Sequence, residues 1–213
     1  MIPVATTAIA GVEAVKIAAL ASQVSNKVFF APDVVVTKNF VAVMVGTGDR
    51  EKPLLTSTSD RFFLVKDKVG APRATALAIS DLAEVAVVNS STMQPAAPAG
   101  PAASKANGCY ISLATNGEKV VNAPFTIAGA TYFGTNRPKP ASSTSCSGDL
   151  GEAYAYKFPL FCTVPQPPSR VEGGGLLPSP VGGIVTIDVN GVPTKVPFLI
   201  GGGEGGSAFK PEE

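Results

Sequence analysis

The sequence predicts an all-β protein of antiparallel strands, and three observations support this fold class. The first is composition, because the 213 residues include 22 glycines and 19 prolines. Such a composition suits short strands joined by turns better than long helices. The second is the alternation of linkers with segments rich in valine, isoleucine and aromatic residues. The third is a repeat, since one plan of hairpin, glycine turn and aromatic strand occurs twice.

The first half of the chain predicts a hairpin, a third strand and a long loop. Residues 33–45 have the pattern of two strands joined at 37–39, and residues 61–66 (RFFLVK) that of an aromatic strand. After the segment DLAEVAVVNSST comes a proline- and alanine-rich tract at 94–108. This tract is predicted to be an exposed, flexible loop, and it is the best internal boundary in the sequence.

The second half predicts further strands joined by tight turns. The strand CYISLA precedes a turn at Asn116-Gly117, and residues 152–158 (EAYAYKF) have the pattern of another aromatic strand. Asparagine and glycine tolerate the positive φ angles that two-residue hairpin turns need. On this basis two hairpins are predicted, at 125–133 with a turn at Ala128-Gly129 and at 183–199 with a turn at Asn190-Gly191.

The repeat is visible in the order of its elements. Ala31-Pro32 begins a hairpin that closes on Gly46-Thr47-Gly48. Ala123-Pro124 begins one that closes on Gly134-Thr135-Asn136, and a looser third copy runs from Ser179-Pro180 to the glycines at 201–203. The residues predicted to form the structural turns of the first two copies are Gly46, Gly48, Asp49, Arg50, Gly134 and Arg137.

A repeated sheet of three to four short strands is the unit of a β-propeller, in which each blade packs on the next. Blades are about 40–45 residues long, so residues 28–204 predict roughly three blades. Because a closed ring needs at least about four blades, the sequence predicts a partial propeller that is part of a larger protein. Residues 205–213 are assigned to a C-terminal tail.

The N-terminal segment, residues 1–27, predicts a short helix at about 11–23 that packs on the rest of the chain. It lacks a basic start and carries Glu13 and Lys16 within its apolar run. It therefore matches neither a signal peptide nor a membrane span, and an exported protein would have its signal outside this chain. The net charge of +1 gives no electrostatic reason to expect nucleic acid or membrane insertion.

Candidate catalytic and metal-binding residues are few. The sequence contains no histidine, which excludes a Ser-His-Asp triad, a Cys-His pair and a histidine metal site in this chain. The pairs Asp49-Arg50 and Asp60-Arg61 could clamp a ligand carboxylate, but ion pairs and turn hydrogen bonds explain them more simply. The segment DVNG at 188–191 begins like a calcium loop, yet Leu199 stands where the loop needs glutamate. An Asn-Gly hairpin turn is the preferred interpretation.

Three cysteines allow one disulfide. Cys146 and Cys162 lie on either side of the strand EAYAYKF, and in an oxidising compartment they could form a bridge worth roughly 3 kcal/mol. Cys109 is then expected to be buried and reduced. The alternative is that all three are buried thiols.

Four segments follow one another in the range of about 28–204. The longest is FFAPDVVVTKNFVAVMVGTGDREKPLLTSTSDRFFLVKD, and the others are GEKVVNAPFTIAGATYFGTNRPKP, SCSGDLGEAYAY and GGGLLPSPVGGIVTID. In this order they resemble the C-terminal propeller region of the PilY/PilC-type proteins of type IV pili. The resemblance implies an exported protein at the pilus tip, outer membrane surface or extracellular face. It also implies calcium sites elsewhere in some full-length relatives, and it assigns no cofactor to residues of this chain.

The resemblance implies a non-enzymatic module that supports pilus assembly, counters retraction and contributes to adhesion. The implied partners are minor pilins at the type IV pilus tip and a host or abiotic surface. A second class is a quinoprotein-like propeller dehydrogenase, whose blades share the Gly-Thr turn. Such blades are usually marked by tryptophan, and this sequence has none. The first class is therefore favoured.

Overall fold

The structure, a computed structural model, describes residues 26–70, 75–98, 104–139 and 151–201. In these ranges it is all-β, with a short 3-10 helix at Ile79–Asp81 as the helical element. The predicted all-β class is confirmed. The predicted helix at 11–23 and the tail at 205–213 lie outside the described residues.

The strands have the following bounds: β1 Asp33–Val36, β2 Phe40–Gly46, β3 Arg61–Lys68, β4 Ala83–Val88, β5 Pro95–Ala96, β6 Gly108–Ser112, β7 Lys119–Val120, β8 Phe125–Ile127, β9 Ala130–Arg137, β10 Glu152–Pro159, β11 Ser169–Val171, β12 Val181–Val189 and β13 Val192–Ile200. The predicted hairpins correspond to β1–β2, β8–β9 and β12–β13. The two aromatic strands are β3 and β10. These elements of the prediction are confirmed.

The first sheet has the order β1-β2-β3-β6-β4-β5. Its pairs are antiparallel except for β4 and β6, which run parallel with an irregularity between Glu84 and Ala86. The tract at 94–108 does not separate two sheets, because β6 follows it and pairs with β3. The start of the tract also forms β5, which pairs with β4, while residues 99–103 lie outside the described residues. The boundary between the first two sheets therefore falls after Ser112.

The second sheet has the order β11-β10-β9-β7, with β8 paired to the same strand β9. Its pairs are all antiparallel. The strands β12 and β13 form a separate two-stranded sheet, named here the ribbon. Within the described ranges these sheets do not close into a barrel or a ring.

The repeat in the sequence corresponds to a repeat in strand order. A first unit, β1-β2-β3-β6, and a second unit, β8-β9-β10-β11, each contain four neighbouring antiparallel strands in the same order. The strands β4 and β5 are an addition at the outer strand of the first unit. The ribbon corresponds to the first two strands of a unit.

A shared hydrophobic core joins the two units. Phe62 of β3 stacks on Phe133 of β9 with ring centroids 3.8 Å apart, and Phe133 stacks on Tyr156 of β10 at 5.0 Å. Phe158 meets the edge of the Phe62 ring. Because these rings are almost wholly buried, they contribute a large part of the apolar area that holds the sheets together.

The disulfide differs from the prediction. Cys109 of β6 is bonded to Cys162, just after β10, with their Cα atoms 5.8 Å apart. Since a sulfur forms one disulfide, the predicted Cys146–Cys162 pair is wrong, and so is the prediction that Cys109 is reduced. Nearness along the chain suggested the predicted pair, whereas the packing of the two sheets brings Cys109 to Cys162. Cys146 lies outside the described residues.

Candidate functional site

Gly46 and Gly48 of the first predicted turn pack closely against the strand β7. A Cβ atom added to Gly46 would lie 2.5 Å from Cγ2 of Val120, so only glycine leaves room for this strand. The Val120 N–H donates to the Thr47 carbonyl at 3.0 Å. Gly48 approaches the Val120 backbone in the same way. The first turn therefore joins the end of β2 to β7, a strand of the second sheet.

Asp49 and Arg50 secure the chain that leaves this turn. The Asp49 carboxylate accepts a bond from Lys27 Nζ at 2.8 Å and one from the Glu51 N–H at 3.1 Å. The bond from Lys27 lowers the pKa of Asp49, and the same bond raises the pKa of Lys27. The Arg50 guanidinium lies 5.5 Å from the Phe30 ring centroid. The side chains of Asp49 and Arg50 therefore both contact neighbouring residues and stabilise the bend of the chain that follows β2.

The second predicted pair, Asp60-Arg61, lies at the same bend. Asp60 accepts a bond from Asn26 Nδ2 at 2.8 Å, and burial raises the pKa of its carboxyl. The Arg61 N–H donates to Thr47 Oγ1 at 2.9 Å, and its guanidinium lies over the Tyr110 ring. The two charged side chains thus have different neighbours and do not form one clamp.

The second turn repeats the design of the first. The Gly134 N–H donates to Asn122 Oδ1 at 2.8 Å, and a Cβ added there would meet Asn122 and Leu177. Asn122 Nδ2 donates to the Pro178 carbonyl at 2.7 Å, which ties the chain before the ribbon to this turn. The Arg137 guanidinium donates to the Asn116 side-chain oxygen, with the amide turned so that its oxygen faces the arginine.

Glu118 is a buried acidic residue that the sequence analysis missed. Its carboxylate accepts bonds from Thr135 Oγ1 at 2.6 Å, Tyr156 OH at 2.8 Å and the Ala114 N–H at 3.0 Å. Burial raises the pKa of Glu118 and that of Tyr156. Glu118-Lys119 stands before Ala123-Pro124 as Asn26-Lys27 stands before Ala31-Pro32, but this spacing does not indicate burial, because Lys27 is half-exposed and Lys119 is buried.

Lys119 of β7 is also buried, and it reaches from the second sheet to the loop between β2 and β3 of the first unit. Its ammonium donates to the carbonyl oxygens of Pro53, Leu55 and Gly117 at 3.2, 2.9 and 2.6 Å. Burial lowers the pKa of this lysine. Three acceptors fill the hydrogen-bonding capacity of an ammonium group, so Lys119 acts as an anchor for the loop before β3.

A charged cleft of about 480 Å³ lies at the start of β10 and the end of β11. Glu152 is its central carboxylate and lies 3.2 Å from Arg170 Nη2 and 3.8 Å from Lys139 Nζ. The Tyr154 hydroxyl donates to the same carboxylate at 2.9 Å. Because Glu152 already neutralises part of the positive charge, this arrangement is weakly suited to hold an anion.

The ribbon presents the main apolar surface. Val181, Val185, Ile187 and Val189 share one face of β12, and on this face Val185 is 42% and Val181 62% exposed. The opposite strand adds Val192 and Ile200, which are 61% and 62% exposed. The predicted Asn190-Gly191 turn is confirmed, and Asp188 Oδ1 accepts the Gly191 N–H at 2.6 Å. An apolar face of this kind is typical of an interaction surface.

Metal and membrane features are limited within the described ranges. No group of three or more cysteine, aspartate or glutamate residues is placed to hold a metal ion there. In the same part of the chain, no helix has the length and apolar character to cross a bilayer.

Comparison with known proteins shows a likeness of fold to a solved structure. No protein-family model and no curated protein matches the sequence. Among solved structures, the crystal structure of the Pseudomonas aeruginosa PilY1 C-terminal domain aligns with 84% of this chain, at a TM-score of 0.54 and 14% identity. The fold resembles that of the PilY1 C-terminal domain.

The resemblance predicted from the sequence motifs is thus confirmed at the level of fold. The chain spans 44% of the length of the PilY1 chain.

Proposed function

We propose that this chain is a non-enzymatic interaction module of a type IV pilus-associated protein, acting in pilus assembly, retraction control and surface attachment. The fold likeness to the PilY1 C-terminal domain is the observation that carries the proposal. The motifs at 28–204, which resemble PilY/PilC-type proteins, point the same way.

The architecture that fits this role is a series of propeller blades. The two units have the same order of four antiparallel strands, and they pack through a shared aromatic core. Stacking of similar four-stranded sheets is how propellers bury their faces. In this proposal the units are two consecutive blades of a larger propeller.

The disulfide supports an exported location. Structural disulfides persist in oxidising compartments such as the periplasm and the cell exterior. Cys109 and Cys162 are buried and bonded to each other. The proposed location is the pilus tip or the outer membrane surface.

The proposed partners are minor pilins, together with the surface to which the pilus attaches. Protein partners suit an exposed apolar ribbon and a surface of near-zero net charge better than nucleic acid does. This role requires no bound cofactor.

A genetic experiment tests the proposal in the bacterium that encodes the chain. Residues 28–204 are deleted from the chromosomal gene, and surface pili are counted by electron microscopy in strains with and without the retraction motor. We expect the deletion to remove surface pili, and loss of the motor to restore them in part. A matched strain carrying Lys195→Ala, an exposed position, should keep normal pili.

Two results would contradict the proposal. Normal piliation and attachment after the deletion would remove the pilus role. Quinone absorbance and dehydrogenase activity in the purified protein would favour the quinoprotein alternative.

A further inference from the structure

The ribbon is a hairpin whose outer edges have no partner strand within the described residues. One face, the apolar face, carries mainly valine and isoleucine. The other face is mixed, with Thr186, Asp188 and Lys195 beside Ile184, Pro193, Pro197 and Leu199. At its base Gly182 packs on the Phe125 ring, while the stretch 184–189 is exposed along its whole length. Open edges of this kind favour pairing with another strand.

The turn determines which backbone groups face outward. Asn190 and Gly191 have φ angles of 55° and 84°, as in a two-residue type I′ turn. In such a hairpin the flanking pair, Val189 and Val192, exchanges hydrogen bonds, and bonding pairs alternate along the ladder. The N–H positions that point away from the partner strand are therefore Gly182, Ile184, Thr186 and Asp188 on β12, and Pro193, Lys195, Pro197 and Leu199 on β13.

The two edges consequently differ. Proline has no N–H, so Pro193 and Pro197 remove two donors from the outer edge of β13. The corresponding strands β2 and β9 contain no proline, and each pairs with a further strand. The edge of β12 keeps all its donors. The ribbon is thus closed on one side and open on the other.

We propose that a second copy of this chain pairs with β12, so that two ribbons form one four-stranded antiparallel sheet about a two-fold axis. Centring the pairing on Thr186 places it opposite Thr186 of the second copy, and Ile184 opposite Asp188. On the apolar face, Val185 then lies beside Ile187. Threonine pairs and β-branched pairs stabilise neighbouring antiparallel strands, and no like charges are opposed.

The proline-blocked edges explain why assembly stops at two copies. In the four-stranded sheet both outer strands are β13, whose missing donors oppose further addition. The interface is small, since only one strand from each copy contributes hydrogen bonds. Interfaces below about 1,200 Å² are generally weak, so we expect a dissociation constant in roughly the micromolar range or above. This inference does not rest on the proposed pilus function.

A matched pair of proline variants tests the inference. Thr186 and Lys195 are direct cross-strand neighbours, and the N–H of each faces outward, so proline leaves the β12–β13 ladder intact at both positions. Sedimentation velocity over a concentration series should show a monomer–dimer equilibrium for the unaltered protein and for Lys195→Pro. Thr186→Pro should weaken dimerisation at least about tenfold, because it removes central donors of the new pairing.

A cross-linking measurement makes the register testable separately. In a Cys146→Ser background, Thr186→Cys should form a disulfide-linked dimer on mild oxidation, since residue 186 faces itself across the axis. Lys195→Cys should not. The proposal is overturned if the unaltered protein stays monomeric up to about millimolar concentration, or if Thr186→Pro and Lys195→Pro dimerise equally well. It is overturned too if Lys195→Cys cross-links as readily as Thr186→Cys.

Discussion

Removal of the Cys109–Cys162 disulfide should strongly destabilise the protein, because this bond connects the two sheets. The cysteines are 53 residues apart in sequence, and a loop of that length restricts the unfolded chain considerably. In the loop-entropy model, the cross-link is worth about 4 kcal/mol at 25 °C. Typical domains are stable by only about 5–15 kcal/mol, so the loss should be a large fraction of the total.

Urea unfolding of the double variant Cys109→Ala/Cys162→Ala measures this loss, with the oxidised unaltered protein as reference. The unfolding midpoint should fall by an amount equivalent to about 3–4 kcal/mol. Cys146→Ala is the matched control and should leave both the midpoint and the cross-link unchanged. The reasoning is refuted if Cys146→Ala abolishes the cross-link, or if the double variant unfolds at the midpoint of the unaltered protein.

Three further changes test the turns and the buried acid. Gly46→Ala should lower the free energy of unfolding by about 1–3 kcal/mol, because its Cβ would overlap Val120. In the double variant, Val120→Gly should relieve part of that cost. If urea unfolding shows that the effects of the two changes simply add, the contact is not the cause. Gly191→Ala should lower the stability of the ribbon by about 1–2 kcal/mol, because residue 191 has a φ of 84°. In this variant, hydrogen exchange should be faster for the amides of the ribbon than for those of β9. Equal protection of the two would contradict the prediction. The raised pKa of Glu118 means that the folded state binds this proton more tightly than the unfolded state, so its contribution to stability falls as pH rises above about 4.5 toward the folded pKa. Glu118→Gln should remove that fall from the pH profile of urea midpoints, whereas an unchanged profile would show that another group is responsible.

Local features of the sequence were sufficient to predict the hairpins. The turn at Asn190-Gly191 needs positive φ angles, which these residue types tolerate, and it follows the segment VTIDV at 185–189, in which apolar and polar residues alternate. The strand Arg61–Lys68 was predicted by its aromatic and β-branched content. Such signals lie within a few residues of the structure that they specify.

Contacts between distant segments could not be predicted in the same way. The parallel pairing of β4 with β6 depends on how the chain returns after the tract at 94–108, and no local pattern encodes that return. The disulfide was mispredicted for a similar reason, since Cys109 meets Cys162 only after the sheets pack. No local pattern marks Glu118 as buried, since its hydrogen-bond partners Thr135 and Tyr156 are distant in sequence.

Lys27 and Lys119 occupy equivalent positions before the two repeated hairpins, but they have different partners, and the partners of Lys119 join the two sheets. Lys27 has a half-exposed side chain and pairs with Asp49 of its own unit, an ion pair that solvent weakens. Its counterpart Lys119 is buried and donates to the carbonyls of Pro53 and Leu55 in the first unit. A buried ammonium that loses such acceptors is costly, so detachment of the loop before β3 is unfavourable while β7 stays paired in the second sheet. The disulfide and the Phe62–Phe133 stack join the same two sheets, and the units should therefore unfold in one cooperative transition rather than one after the other.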